Sequence, residues 1–421
     1  MTGAGGTETK HLRDALISLG IVGSALIVYF LHWDSAADFS KSIDHGTSLF
    51  LDFKRYYYPA GENIFTESVP PRGYVYTPFF ALCLAPLARF SPQTATYLWG
   101  IFQAALVLVT LIIPAKHLAS LSRSSFYLYV ALVALSFPYI HNFRWGQVSV
   151  LIFATVLGAL YLYRSGRKYL SAVVLALGAS VKLYTIVFIV YFALKREWRY
   201  LALFGALLVS LALVLPIAAL GLGDTIGFYR EVGAVLRDAQ SIFLRDVNSQ
   251  SFPNVFSRAF RHLLSAEQLV YLRSIGIGVF AISCWMVRGL IRRNTEDDAI
   301  WGFALILLSL PFVVSSSWPH YFVYLPYLQA FFVGDLLAKG MTPARTTVLT
   351  FVLLPSIAMS SMLIFFKVGQ WYGYASDSYL FLANLLLLLY AWGVSLARRE
   401  GAEASLNPAA FRQRRARRSP P

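Results

Sequence analysis

The sequence predicts an all-α polytopic membrane protein, and three features of its composition and hydropathy support this class. Hydrophobic residues fill 57% of the 421 positions and charged residues only 14%, whereas a soluble domain carries about 25% charged residues. Apolar runs of about 20 residues, the length of a transmembrane helix, recur along the chain. The alternating segments of about ten residues that would indicate an outer-membrane barrel do not occur.

Charged residues separate about twelve candidate membrane spans. These spans are 15–33, 94–114, 124–140, 146–163, 169–181, 183–194, 198–220, 269–289, 299–315, 321–337, 345–366 and 379–396. Two large polar loops lie between them, at 34–93 and 221–268. The apolar piece 77–90 is interrupted by Pro86, so we expect an interfacial or re-entrant helix there rather than a crossing.

The positions of Lys and Arg predict the orientation of the spans. If 77–90 does not cross, the short basic loops all fall on one side of the membrane, which the positive-inside rule assigns to the cytoplasm. Residues 1–14 and the basic tail 397–421 are then cytoplasmic, and the two large loops lie outside. We expect the Arg-rich tail to orient the chain and to contact anionic lipid rather than nucleic acid.

Several other classes of protein have no support in the sequence. The first apolar run, 15–33, has basic residues before it but no small-x-small cleavage site after it, so we interpret it as a retained helix and not a signal peptide. The two cysteines lie in apolar runs and form no disulfide framework or zinc spacing. Walker, dinucleotide-binding, HExxH and EF-hand patterns are absent, as is an inverted repeat of the transporter type.

Polar side chains from distant parts of the chain converge at the predicted outer face, as expected for a site built at helix ends. The candidates are Asp52, Tyr76, Arg144, Gln147, Lys182, Asn248, Gln250, Arg258, Trp318 and His320. Asp52 is either an interfacial acid, solvated or paired with Lys54 or Arg55, or a carboxylate at a sugar-transfer centre. In the second case it accepts the proton of an acceptor hydroxyl or stabilises an oxocarbenium-like transition state.

The remaining candidates also have two interpretations each. His320 is either an interfacial histidine among aromatic side chains or a base or hydrogen-bond partner, and Trp318 beside it offers an apolar face for a sugar ring. Lys182 lies between two short helices, where a cation is costly unless it faces an anion or a polar cavity. Together with Arg144 and Arg258 it is a candidate for binding a phosphate. Gln147, in a Gly-Gln pair at a predicted helix start, would bind sugar hydroxyls or backbone.

Five segments in order resemble motifs of glycosyltransferase family 87. They are YVYTP at 74–78, RWGQVS at 144–149, GASVKLY at 178–184 with KREWR at 195–199, NSQS at 248–251 with Arg258, and SWPHY at 317–321. The resemblance implies a C-type glycosyltransferase fold, a polyprenyl-phosphate sugar donor, often mannose, and a site on the non-cytoplasmic side. The family's first-loop acid corresponds to Asp52, and its tryptophan–histidine pair to Trp318 and His320. The chain departs from the family pattern at Ser149 and Tyr184, and Pro319-His320-Tyr321 keeps only one of the family's two histidines.

The sequence therefore predicts an integral membrane glycosyltransferase of the cell membrane. It would move a sugar, mannose first, from a polyprenyl phosphate to a hydroxyl of a lipid-linked or cell-envelope glycan or glycolipid, in contact with membrane lipids and without nucleic acid. Because the phosphate leaves already negative and next to cations, no metal and no other cofactor is expected. Two alternatives stay open: a transporter or flippase for a lipid-linked or small polar solute, and a catalytically silent relative.

Overall fold

A computed structural model describes residues 4–31, 49–67, 69–246, 248–260, 265–293, 297–314, 316–368 and 371–406, and this part of the chain is almost entirely helical. The α-helices are Ala4–Leu31, Tyr58–Asn63, Pro78–Leu84, Pro92–Leu121, Arg123–Ala134, Phe137–Trp145, Ser149–Arg164, Lys168–Val181, Ile189–Leu194, Trp198–Val209, Leu215–Leu220, Leu222–Arg245, Phe252–Ala259, Ala266–Ile291, Asp298–Val313, Leu325–Ala338, Pro343–Val348, Leu354–Met359, Met362–Val368, Trp371–Ser376 and Tyr379–Leu406. The 3₁₀ turns are Leu87–Arg89, Leu183–Phe188 and Pro319–Phe322, and the π-helical turns are Phe53–Tyr57, Ser210–Val214 and Leu349–Leu353.

Long apolar helices support the predicted membrane class. Among the described residues, 5 helical stretches are long and apolar enough to cross a membrane: Pro92–Leu121, Trp198–Leu220, Glu267–Ile291, Pro319–Ala338 and Gly373–Arg398. Shorter apolar helices cover Leu16–Tyr29, Ser149–Arg164, Lys168–Val181, Leu183–Leu194, Asp298–Val313 and Pro343–Met359. The number of twelve spans, the C-type fold and the sidedness stay predictions.

The first helix begins at Ala4, before the predicted span 15–33, and its apolar part is Leu16–Tyr29. Two predicted boundaries are wrong. The single span expected at 124–140 is two helices, because the chain breaks at Ser136, which forms an isolated antiparallel bridge with Ser361. Gly146 does not open a helix: it ends Phe137–Trp145 in a left-handed conformation, and the next helix begins at Ser149.

The piece predicted not to cross the membrane is short in the structure as well. The helix Pro78–Leu84 has 7 residues, so it is about 10 Å long against a hydrocarbon core of about 30 Å. The first part of the first loop, 34–48, and the arginine-rich end of the tail, 407–421, lie outside the described residues. The last helix, Tyr379–Leu406, extends ten residues beyond the predicted end of the final span at 396.

The second loop is largely helical and packs onto the first. Its long helix Leu222–Arg245 places the Phe228 ring 5.8 Å from that of Tyr74, nearly perpendicular to it. Phe53 of the first loop stacks on Trp99 with ring centroids 5.0 Å apart. These contacts belong to an aromatic core separate from the main core between the long helices. Through this second core the first loop is held against the helix ends.

Candidate active site

Asp52 lies at the start of the first-loop helical segment and is buried, with 5% of its surface exposed. Its Oδ2 accepts a hydrogen bond from Nε2 of Gln147, 95 residues further along the chain. Lys54 and Arg55 are exposed, and among the described residues no cation lies within 4.0 Å of the carboxylate. The interpretation of Asp52 as a solvated or ion-paired surface acid does not fit this geometry.

The amide of Gln147 joins the carboxylate to two buried tyrosines. Its Oε1 lies 3.0 Å from the hydroxyl of Tyr57 and 3.0 Å from that of Tyr76, and these hydroxyls are 2.7 Å apart. The backbone carbonyl of Gln147 accepts a bond of 2.8 Å from Nε2 of Gln103. Because its donor and its acceptor are both engaged, the amide has one orientation, which directs its N–H group at Asp52.

Asn142 explains why the chain places Gln147 there. Its Oδ1 accepts the backbone N–H of Ser149 at 3.1 Å and so caps the helix that begins there, while its Nδ2 donates to Gln103 at 3.0 Å. Its carbonyl accepts the N–H of Gln147 at 2.9 Å. Asn142 thus satisfies an otherwise unpaired donor at the helix start. Its contacts on both sides of Gln147 also hold that residue in place.

Gly146 lets the Asp52 segment approach the same turn. Its φ of +69° is left-handed, and a Cβ at this position would lie 3.0 Å from Cβ of Phe50 and 3.2 Å from Cβ of Phe53. The N–H of Phe50 donates to the carbonyl of Arg144 at 2.9 Å, and Nε1 of Trp99 donates to the carbonyl of Gly146 at 2.9 Å. Only glycine fits both the dihedral angle and the space.

Burial raises the pKa of the Asp52 carboxyl to about 7, and the hydrogen bond from Gln147 and the positive charges of Lys182 and Arg55 limit the rise. A carboxyl with a pKa near neutrality exchanges a proton at physiological pH, as a general base or acid must. A pKa that burial raises in this way, beside specific charged groups, is a feature of functional sites.

Lys182 lies between the helix Lys168–Val181 and the 3₁₀ turn that follows, as predicted, and is 8% exposed. Its ammonium lies 4.0 Å from the ring centroid of Tyr321, 5.3 Å from that of Tyr76 and 5.6 Å from that of Tyr184. Among the described residues no carboxylate lies within 4.0 Å of it. A buried ammonium surrounded by aromatic faces is suited to binding an anion.

His320 is buried beside a second histidine, His141. The two Nδ1 atoms are 3.3 Å apart and the rings stack with centroids 5.3 Å apart. A hydrogen bond at this distance requires a proton on Nδ1 of one imidazole and a free lone pair on Nδ1 of the other. Burial lowers the pKa of His141 to about 3, so its ring is neutral at physiological pH. Trp318 and Tyr321 flank His320, with centroids 5.8 and 4.9 Å away.

Of the three predicted binding residues from the second loop, Arg258 and Gln250 donate side-chain hydrogen bonds within the protein, and Asn248 donates a backbone one. Arg258 donates to the carbonyl of Ser249 at 2.8 Å and to Oγ of Ser378 at 2.9 Å. Gln250 donates from Nε2 to the carbonyl of Ala375 at 3.0 Å, and its backbone N–H donates to the carbonyl of Ser317 at 2.7 Å. Asn248 is half-buried and donates its backbone N–H to Asp246 at 2.9 Å. Gln250 thus joins the second loop to the segment that carries Trp318 and His320, and Arg258 joins it to Ser378.

The structure therefore brings together part of the predicted set. Asp52, Gln147, Tyr76 and Lys182 form one connected group, which we call the site cluster, and Tyr321 links it to His320. Arg144 is buried in the turn that receives the Asp52 segment. Sequence reasoning missed four residues: Gln103, Tyr57, His141 and Tyr321. The pair His141-Asn142, polar within an apolar stretch, was a signal for one of them.

Among the residues that the structure describes, no group of three or more His, Cys, Asp or Glu side chains is placed to hold a metal ion.

Comparison with known families decides the class. The model of glycosyltransferase family 87 matches residues 74–317. The chain belongs to glycosyltransferase family 87. The family predicted from the five motifs is confirmed, and none of the curated proteins compared matches the chain.

Family membership makes this protein a membrane glycosyltransferase with a sugar donor and an acceptor, and the transporter alternative no longer stands. The matched residues include Tyr76, Gln147 and Lys182 of the site cluster. Asp52 precedes the matched residues and His320 follows them, so the roles of these two side chains rest on geometry and on the motifs quoted above.

Proposed function

We propose that this family 87 glycosyltransferase transfers a sugar, mannose first, from a polyprenyl phosphate to a hydroxyl of a lipid-linked or cell-envelope glycan. The observation that carries the proposal is the buried carboxylate of Asp52 in one connected group with the aromatic-enclosed ammonium of Lys182. A base and an anion-binding cation are the two groups that transfer from a sugar phosphate requires.

Asp52 acts on the acceptor. The acceptor oxygen forms a bond to the anomeric carbon while the bond between that carbon and the phosphate oxygen breaks, and the acceptor proton moves to Asp52. Ionised Asp52 also stabilises the positive charge that develops on the sugar in an oxocarbenium-like transition state. Gln147 positions the carboxylate, since its amide donates to Oδ2 and has no other orientation.

Lys182 acts on the donor. The leaving polyprenyl phosphate carries its negative charge away from the sugar, and an ammonium in a low-dielectric site stabilises that charge more than it would in water. The aromatic rings around Lys182 hold the ammonium in place. A leaving group that is already anionic needs no proton, so we propose that no metal or other cofactor is required.

A lipid-linked donor suits a site at the ends of membrane helices. The prenyl chain would stay in the hydrocarbon region while its phosphate reaches the end of the helix Lys168–Val181, where Lys182 lies. His320 and Trp318 would contact the sugar or the acceptor from the opposite side of Tyr321. On the predicted orientation this site is on the non-cytoplasmic side of the cell membrane, and both termini are cytoplasmic.

The test is transfer by the full chain in liposomes, supplied with radiolabelled polyprenyl-phosphate mannose and a membrane lipid extract as acceptor. We expect Asp52→Asn to lower the rate by about 10²–10⁴-fold, the usual contribution of a general base. Lys182→Gln should raise the half-saturating donor concentration as well as lower the rate. His320→Ala should reduce transfer in the same assay.

The matched controls carry the same chemical changes on exposed first-loop side chains. Glu62→Gln and Lys54→Gln should both keep wild-type transfer. If Asp52→Asn, shown to be folded, transfers at the wild-type rate, the proposed base is wrong. Wild-type protein that gives no product with mannose, arabinose or glucose donors would overturn the donor class and favour a catalytically silent relative.

A further inference from the structure

A second polar cluster lies at the other end of the helices that carry the site. The helix Ser149–Arg164 begins beside Gln147, and its 16 residues rise about 24 Å. A cavity of about 1420 Å³ runs along this helix, from Leu151 near its start to Arg164 at its far end. Five cations and two carboxylates line the polar end of this cavity. The cations are Lys116, Arg164, Arg167, Lys168 and Lys195, and the carboxylates are Glu197 and Asp298.

Two of these cations are bound to acids of the protein. Lys168 pairs with Glu197 at 2.7 Å, and the same carboxylate accepts the hydroxyl of Tyr163 at 2.6 Å. Arg164 pairs with Asp297 at 3.5 Å. The first pair holds the loop after Leu194 against the neighbouring helix, and the second holds Asp297 against the end of Ser149–Arg164.

The other three cations have no such partner. Among the described residues no carboxylate lies within 4.0 Å of Lys116, Arg167 or Lys195. The ammonium of Lys195 is half-buried, 5.0 Å from the Tyr163 ring centroid. Burial lowers the pKa of Lys195, and the nearby charge of Lys168 adds to this effect against the opposing charge of Glu197. The polar end of the cavity therefore has an excess of positive charge that an anion would balance.

The rest of the cavity is apolar. Leu106, Val109 and Ile113, one helical turn apart on Pro92–Leu121, line it together with Leu151 and Val174. Val109 is 41% exposed, so the groove is open at this residue. A cationic end joined to an open apolar groove within a membrane protein matches the shape of a phospholipid, with a charged headgroup and a long chain.

We propose that this cavity binds an anionic phospholipid, with the phosphate at Lys116, Arg167 and Lys195 and one acyl chain along the groove of Leu106, Val109 and Ile113. The lipid would connect the helices Pro92–Leu121, Ser149–Arg164 and Lys168–Val181 at the end away from the site cluster. The proposal is independent of the catalytic one, because it uses none of the site residues.

The experiment measures the thermal unfolding of the full chain in a neutral detergent during titration with phosphatidylglycerol or phosphatidylcholine. We expect phosphatidylglycerol to raise the midpoint temperature saturably and phosphatidylcholine to do so at least tenfold less effectively. In the triple variant Lys116→Gln, Arg167→Gln, Lys195→Gln the half-saturating concentration of phosphatidylglycerol should rise at least tenfold. Equal shifts with both lipids would overturn the proposal.

A matched triple variant removes the same charge from exposed cations that do not line the cavity: Arg199→Gln, Arg288→Gln, Arg292→Gln. It should keep the wild-type half-saturating concentration within twofold. If both triple variants weaken the effect equally, the attraction is a general surface charge and not a site. The double variant Lys116→Gln, Arg167→Gln changes only exposed residues and serves if the triple variant does not fold.

A substitution that fills the groove tests whether the ligand is a lipid or a small phosphate compound. Val109→Trp places a large ring in the groove and should raise the half-saturating concentration of phosphatidylglycerol at least fivefold. Ile112→Trp, on the same helix, 70% exposed and outside the lining, should not. Soluble glycerol phosphate should give no shift at millimolar concentration. If glycerol phosphate shifts the midpoint temperature as much as the lipid does, and Val109→Trp has no effect, the ligand is a small phosphate compound and the lipid proposal is wrong.

Discussion

The two polar clusters at the ends of the helix Ser149–Arg164 differ in the partners of their buried charged side chains. In the site cluster, Asp52 is bonded to a neutral amide, and Lys182 lies against aromatic rings. At the far end, buried carboxylates are paired: Arg398 lies 3.3 Å from Asp335 and 3.6 Å from Asp298. Because a charge is costly to bury without a partner, the buried carboxylates of the far end are stabilised by cations, whereas Asp52 and Lys182 of the site cluster have no ion-pair partner among the described residues.

The largest effect that tests this comparison is expected at the far end. Arg398 bridges two carboxylates that are at most 5% exposed, and its guanidinium lies 4.7 Å from the Trp301 ring centroid. Arg398→Gln removes this cation from the buried Asp298, while Asp335 keeps Lys339, and should lower the free energy of unfolding by about 3 kcal/mol. Thermal unfolding in detergent measures it, with the exposed Arg288→Gln as control. Sugar transfer per folded molecule should stay within twofold of wild type, and an unchanged unfolding temperature would contradict the assignment.

The next effect compares two left-handed glycines, one near each end of the same helix. Gly146 has a φ of +69° and lies against Phe50 and Phe53, whereas Gly166 has a φ of +79° and an added Cβ there would meet nothing within 4 Å. Gly166→Ala should cost about 1 kcal/mol of unfolding free energy, the conformational cost alone. Gly146→Ala should cost about 1–2 kcal/mol more and also lower transfer, since the Asp52 segment must shift. Equal costs in the two variants would mean that the segment does not dock tightly.

The pH dependence of transfer gives a smaller effect. Because burial raises the pKa of Asp52 to about 7, its basic form is lost as the pH falls through 7, so the rate should rise with pH and level off above that value. Removing the Gln147 donor favours the protonated form, so Gln147→Leu should move the midpoint upward by about one unit. Glu62→Gln should leave it unchanged. A profile that is flat from pH 5 to 9 would remove Asp52 from proton transfer.

The smallest effect concerns metal ions. The proposed chemistry stabilises the leaving phosphate with Lys182 and needs no divalent cation. Transfer in liposomes should therefore be unchanged by a millimolar chelator. Activity that disappears with chelator and returns with a divalent ion would overturn this part of the proposal, and would leave Asp52 and Lys182 as candidates to be tested as above.

The class and the family could be predicted because their signals are local. Apolar runs, basic loops and five short motifs are each read from neighbouring residues. The short piece 77–90 and the position of Lys182 between two helices followed from the same local patterns. Boundaries at Ser136 and Gly146 were missed, since the first depends on pairing with Ser361 and the second on the close approach of Phe50.

By itself, the sequence determined that this is a helical membrane glycosyltransferase and which polar residues converge near its helix ends. Only the tertiary structure decided which of them lie together in the candidate site. It buried Asp52 against Gln147, paired His320 with His141, and engaged the donors of Arg258 and Gln250 with the protein backbone. The reason is that these partners are 9 to 179 residues apart in the chain, and contacts at such varied separations leave no periodicity in a single sequence.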